Sequence, residues 1–242
     1  MRLKLHFELD KNVMSVEYRR EMLSFMKAAL TRYDNGSCFN KFFEERNTLT
    51  KPYSFGVSLP GAKFTADKIE LGANSIRVHF STFDYAAGII FYNAFNGMRN
   101  EKYPLGNGNK MTLKQIVSES EQCISSNEIR VKFLSPLCVR KHDKETNKDL
   151  YMAYNRDGFE QTLKELIEAE LKETNCLPVE IAEGFSIEPI LAKKTVVKHF
   201  DIMLEASVGA FLIKGNPLLL NFLYLGGMGS RRSGGFGLFE LI

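Results

Sequence analysis

A chain of 242 residues, 44% of them hydrophobic, has room for one large domain or two small ones and enough apolar side chains to exclude overall disorder. A formal net charge of +3 excludes a generally polybasic protein, so any nucleic-acid surface has to be a local patch. The four cysteines, Cys38, Cys123, Cys138 and Cys176, are nowhere spaced C-x-x-C, which argues against zinc and for a reduced, cytoplasmic setting, and no apolar run approaches the roughly 18 residues that span a membrane.

Leu3, Leu5, Phe7 and Leu9 alternate with Lys4, His6 and Glu8, the pattern of a half-buried strand and not of a signal peptide. Ser15 is placed to cap a helix over residues 16–32, with Met22, Leu23, Phe25, Met26, Ala29 and Leu30 on its apolar face and Asp34-Asn35-Gly36-Ser37 ending it. A short helix over 38–46, a strand over 52–59 and a hairpin of 63–71 against 75–83 follow, the last turning at Gly72-Ala73-Asn74. Asp84 caps a helix over 85–98, and a strand over 111–117 completes the order strand, helix, strand, strand, helix, strand.

The second half repeats that order. A strand over 128–139, a charged loop over 141–148 and an amphipathic helix over 156–173 lead to strands near 179–187 and 195–205. A helix over 217–224, with Pro217 in its first turn, precedes a glycine-rich loop and a short terminal strand over 238–242. Two successive β-α-β-β-α-β units predict an α+β fold of tandem ferredoxin-like domains, residues 1–122 and 123–242, separated by the polar stretch 119–127.

Six of the 18 glycines fall between Gly226 and Gly237, together with Arg231 and Arg232. Main-chain amides and guanidinium groups on such a loop suit phosphate oxygens. The loop is no P-loop, because Lys-Ser/Thr is absent, and no dinucleotide fingerprint, because a strand and not a helix follows it.

The segment Gly227-Met228-Gly229, five residues, Gly235-Phe236-Gly237, then an apolar strand carrying Glu240, resembles the C-terminal signature of the Cas6 family, CRISPR repeat-processing endoribonucleases of the RAMP superfamily. The resemblance is most specific over 195–242. It implies tandem ferredoxin-like domains, a cytoplasmic protein whose partners are CRISPR repeat RNA and other CRISPR-associated proteins of an effector complex, and no membrane, metal or cofactor. It further implies metal-independent attack of a 2′-hydroxyl on its own phosphate, leaving a 2′,3′-cyclic phosphate. RNA contacts are expected from Gly227, Gly229, Ser230, Arg231, Arg232, Gly235, Phe236 and Gly237.

Many family members carry a histidine near the helix that precedes the second strand, with a tyrosine and a lysine close by. The corresponding window, 33–51, holds no histidine. It retains Tyr33, Lys41, Arg46 and Lys51, and the resemblance makes Tyr33, Lys41 and Lys51 the expected catalytic residues. Lysine is charged near neutral pH and serves as acid or electrostatic stabiliser better than as base. His6 and His79 sit at polar strand positions, His142 in the charged loop, and His199 in a strand of the second half, where it could line the RNA groove. The missing imidazole keeps a rival open: a RAMP protein that binds repeat or guide RNA without cutting it. A general RNA-binding ferredoxin-like protein is disfavoured, because no central strand carries an aromatic RNP1-type run.

Overall fold

The computed structural model describes residues 1–44, 50–143, 145–200 and 202–242. In chain order its main elements are β1 (Arg2–Leu9), β2 (Val13–Ser15), α1 (Tyr18–Arg32), α2 (Ser37–Phe39), β3 (Tyr53–Ser58), β4 (Lys63–Phe64), β5 (Lys68–Glu70), β6 (Ser75–Thr82), α3 (Tyr85–Gly97), β7 (Lys102–Pro104) and β8 (Lys110–Glu119). The second half holds β9 (Glu128–Phe133), β10 (Val139–Asp143), β11 (Lys148–Met152), α4 (Phe159–Thr174), β12 (Ser186–His199), β13 (Ile202–Lys214), α5 (Pro217–Gly226) and β14 (Phe239–Leu241).

Two antiparallel sheets carry the architecture. The first has the order β3-β6-β1-β8-β7, the second β12-β13-β9-β14. In each, the first strand of the unit lies between the third and the fourth, and the second strand forms an edge. That is the ferredoxin-like arrangement, reached twice, and the fold is α+β as the order of elements predicts. The alternation of β1 sends Leu3, Leu5, Phe7 and Leu9 inward, where α1 (Met22, Phe25, Met26, Leu30) and α3 (Phe91, Ala94, Phe95) cover them. In the second unit, Phe159, Leu163, Ile167 and Leu171 of α4 join Leu219, Leu220 and Leu223 of α5 over Val131, Phe211, Ile213 and Phe239. Burying such side chains contributes roughly 1.5–3 kcal/mol each before the entropy of ordering them.

Several expectations are corrected. Ser15 does not cap α1: the helix starts at Tyr18 without a side-chain cap, and the Ser15 hydroxyl instead accepts from the Glu17 amide at 3.1 Å. The expected hairpin of 63–71 against 75–83 does not form. β6 is taken on both edges by β1 and β3, so β5 pairs with β2 and β4 in a separate small sheet. The segment near 179–187 is a single 3₁₀ turn, Val179–Ala182, followed by the start of β12. The strand expected over 195–205 straddles a reversal: β12 ends at His199, and β13 returns beside it from Ile202. β12 tolerates Pro189 because it is an edge strand, with a register shift between Pro189 and Leu191 opposite Phe211 and Ala210. The charged loop over 141–148 is largely a two-stranded ribbon, β10 against β11. Asp84 does cap α3, accepting from the Ala87 amide at 3.0 Å, and Pro217 does open α5.

The two units meet through the end of the chain. α5 and the loop after it lie against β3 and β6, where small side chains let the backbones approach: the Ser81 hydroxyl donates to Leu225 O at 2.7 Å, and Gly56 lies under Leu134. From the outer end of β1, Arg2 donates to Tyr224 O at 2.7 Å and Phe239 O at 2.9 Å, with its guanidinium over the Tyr224 ring.

Candidate nucleic-acid interface

The glycine-rich loop is not an open cradle. Its amides are largely used at home: Met228 N donates to Gly237 O, Ser230 N to Cys138 O, Gly234 N to Arg231 O, Gly235 N to Arg232 O and Gly237 N to Pro136 O. The glycines are required by close packing. A Cβ at Gly237 would overlap the Met228 carbonyl, one at Gly229 would lie 2.5 Å from Cys138 O, and one at Gly227 2.6 Å from the Ser54 hydroxyl, all three at positive φ. Gly235 abuts the Phe55 ring, and Phe236 is fully buried, edge-on to His199 at 5.1 Å. The contacts expected between RNA and Gly227, Gly235, Phe236 or Gly237 therefore lack an accessible surface.

The paired arginines have opposite fates. Arg232 is 4% exposed; it forms an ion pair with buried Glu170 of α4 and donates to Gly226 O at 2.9 Å. Burial pushes the Glu170 carboxyl up, and Arg232 opposes that. The phosphate contact expected of Arg232 is thus corrected: its guanidinium is committed to locking α4 onto the loop. Arg231, one residue earlier at φ +58°, points the other way, half-exposed, donating to the Tyr151 hydroxyl at 3.1 and 2.5 Å.

Arg231 opens onto a cleft of about 380 Å³ lined by Thr50, Lys51, Arg140, α4 and residues 229–233. Besides Arg232, which is paired with Glu170, it gathers three cations, Lys51, Arg140 and Arg231, from three distant parts of the chain. Glu173 on its wall is occupied by Thr50, whose hydroxyl donates to it at 2.7 Å. The Ser230 hydroxyl is buried and has no partner among the described residues. Half-buried Lys51 lies over the Phe43 ring at 5.3 Å; burial first, and then Lys27, push its ammonium below the usual lysine range. Such a site suits a phosphate oxygen and can supply a proton to one.

The other expected catalytic groups are not brought here. Tyr33 lies beside α3, its hydroxyl accepting from Asn93 at 3.4 Å, and Lys41 is exposed on a π turn; neither lines the cleft. Arg46 lies outside the described residues. His79 is buried and hydrogen-bonded to Ser58 at 3.0 Å, away from the loop. His199 lies under Gly234, pushed down to about 4 by burial and then by Arg231 and Arg19, so its ring is neutral. Sequence reasoning missed Arg140 and Tyr151, because a ribbon read as a loop carries no register that would aim them.

Comparison with known proteins decides what this fold and loop belong to. The family model of the CRISPR associated protein Cas6, C-terminal, matches residues 117–241, from the end of β8 through β14. The chain belongs to the Cas6 family. The family consists in general of CRISPR endoribonucleases. No curated protein sequence matches the chain. Among solved structures, a Cas6-related protein from Pyrococcus furiosus is similar at TM-score 0.86 and 18% identity, covering 100% of this chain and 98% of its own. A RAMP protein described as binding different RNA substrates gives 0.83 and 19%, with 100% and 99% covered. A Cas6 product complex gives 0.72 and 14%, with 100% of both chains covered. At these identities the likeness is one of fold, and it extends the Cas6 architecture over the N-terminal half that the family model leaves unmatched. No described helix is long and apolar enough to cross a membrane.

Proposed function

We propose that this Cas6 protein binds CRISPR precursor repeat RNA with the phosphate next to the cut held in the Lys51–Arg140–Arg231 cleft. There it cleaves once per repeat by metal-independent 2′-hydroxyl attack, leaving a 2′,3′-cyclic phosphate. The observation that carries this is the convergence of three cations on the family's glycine-rich loop, with an unpartnered hydroxyl, Ser230, among them. Arg231 and Arg140 neutralise the phosphate, and Lys51 offsets charge on the phosphorane or protonates the leaving 5′-oxygen. Of the expected catalytic set the proposal keeps Lys51 and gives Tyr33 and Lys41 no part in the bond-making step. The division into domains at residues 122 and 123 belongs to the same reading and is supported by the 119–128 gap between β8 and β9. So do a cytoplasmic setting and assembly with other CRISPR-associated proteins.

A second reading, a RAMP protein that holds repeat or guide RNA without cutting, is favoured by one fact: residues 33–51 contain no imidazole. Purified protein and end-labelled repeat RNA in EDTA separate the two. The first reading expects one discrete product ending in a cyclic phosphate. Tight binding with no product establishes the second. Equal affinity for repeat and scrambled RNA overturns both.

A further inference from the structure

The ribbon β10–β11 carries a polar cluster of which the cleft uses Arg140 but not His142 or Asp149. Asp149 is shared three ways: His142 Nδ1 lies 2.9 Å from one carboxylate oxygen, while Arg140 and the Tyr151 hydroxyl donate to the other at 3.1 and 3.2 Å. Tyr151 in turn accepts from Arg231 of the glycine-rich loop. Register explains the grouping. His142 lies opposite Asp149 and Arg140 opposite Tyr151 in the antiparallel pair, so all four side chains share one face of the ribbon.

This cluster borders the cleft. Arg140 lines both the cleft and a neighbouring hollow formed by His142, Asn147, Asp149, Tyr151, Ile202 and Met203. An RNA strand whose phosphate rests between Arg231 and Arg140 lies beside the ribbon face on which His142 stands two residues along β10 from Arg140. The fold gains little from the arrangement, because pairs this exposed contribute little to stability.

We propose that His142, oriented by Asp149, is the general base of RNA cleavage, standing in for the imidazole absent from residues 33–51. The inference rests on the cutting reading given above. A carboxylate at Nδ1 holds the proton on that nitrogen and leaves Nε2 as the acceptor. The side chain is 43% exposed, so the ring is open to a ligand. In the step, Nε2 takes the proton of the 2′-hydroxyl as the O2′–P bond forms. The P–O5′ bond breaks, and the 5′-oxygen takes a proton from the Lys51 ammonium. The products are a 2′,3′-cyclic phosphate and a 5′-hydroxyl, and both side chains return to their starting states by exchange with water.

Among the described residues, the charged and titratable groups around His142 are Asp149 across the ribbon, Arg140 and Asp143 on its own strand, and Tyr151 and Arg231 beyond Asp149. Burial raises the Asp149 carboxyl, but hydrogen bonds from His142, Arg140 and Tyr151 outweigh it, so Asp149 stays ionised through the range in which an imidazole titrates.

The test is single-turnover cleavage of repeat RNA in EDTA, alongside binding, for the wild type, His142→Ala, Asp149→Asn and His6→Ala. Expected are near-wild-type binding by the three variants, a rate loss of about 10²–10⁴-fold in His142→Ala, and a smaller loss in Asp149→Asn. Added imidazole should restore part of the rate lost in His142→Ala and leave the His6→Ala rate unchanged. Wild-type rates in His142→Ala across pH overturn the proposal and leave the cutting reading standing. A wild type that binds repeat RNA without cutting overturns both the base and the cutting reading. A wild type that does not prefer repeat RNA overturns the whole functional assignment.

Discussion

Arg231 and Arg232 are adjacent in sequence and opposite in consequence. Replacing Arg231 by Ala should weaken repeat-RNA binding and reduce its salt dependence by about one phosphate contact, measured as the slope of log K against log salt. Replacing Arg232 by Ala should instead destabilise the fold, because it strands the buried Glu170 carboxylate. Breaking one side of a buried pair costs about 3–5 kcal/mol, which denaturant unfolding will show. An unchanged salt slope in Arg231→Ala, or an unchanged midpoint in Arg232→Ala, refutes the corresponding half.

Two buried histidines set an acid limit at the same scale. His79 and His199 are each held down to about 4, chiefly by burial, against an ordinary value of 6.5. Well above pH 6.5 both rings are neutral, folded or unfolded, and stability is unaffected. Between 6.5 and 4 the unfolded chain binds protons that the fold refuses, so stability falls as pH falls, by up to about 3 kcal/mol for each ring at pH 4. Unfolding free energy measured from pH 7 to 4 should show this slope, and His199→Gln should remove about half of it. A slope that His199→Gln leaves intact would place the acid sensitivity elsewhere.

For the elements, the glycines separate by what their space contains. Gly237→Ala should collapse the loop, because its Cβ overlaps the Met228 carbonyl and φ is +70°. Gly97→Ala, the last residue of α3, meets nothing within 4 Å and should be neutral or stabilising by up to about 1 kcal/mol. Thermal melts of the two variants should move in opposite directions, and a Gly237→Ala protein that melts like wild type would mean the loop is softer than its packing implies. The amphipathic helices and β1 were legible because their periodicity is local. The β12–β13 hairpin was not: its reversal at Phe200, φ +44°, uses neither Gly nor Pro, so no turn signal marks it. The small sheet of β2, β5 and β4 escaped for another reason. β5 reads as a partner for β6, and only the occupancy of both β6 edges excludes it.

At the scale of the whole molecule, one side chain ties the two sheets together. Arg2 is 4% exposed and reaches from the first strand of the chain to carbonyls in α5 and β14. Arg2→Met keeps the aliphatic stem but leaves two buried carbonyls without donors, at roughly 1–3 kcal/mol each. Probes placed in the two halves should unfold together in the wild type and separately in Arg2→Met; coincident transitions in the variant would show that the interface holds without it.

Local pattern alone determined the double β-α-β-β-α-β order, the inward faces of β1, α1 and α4, and the glycine signature that marks the family. These depend on neighbours within a few residues, where side-chain period and backbone freedom dictate structure. Tertiary structure decided what the signature is for. Its glycines admit Cys138, Ser54 and Met228, its second arginine is buried against Glu170, and only Arg231 is left to face Lys51 and Arg140. Apart from Met228, those partners lie from 62 to 180 residues away, a separation over which the order of residues carries no geometric information until the two sheets have packed.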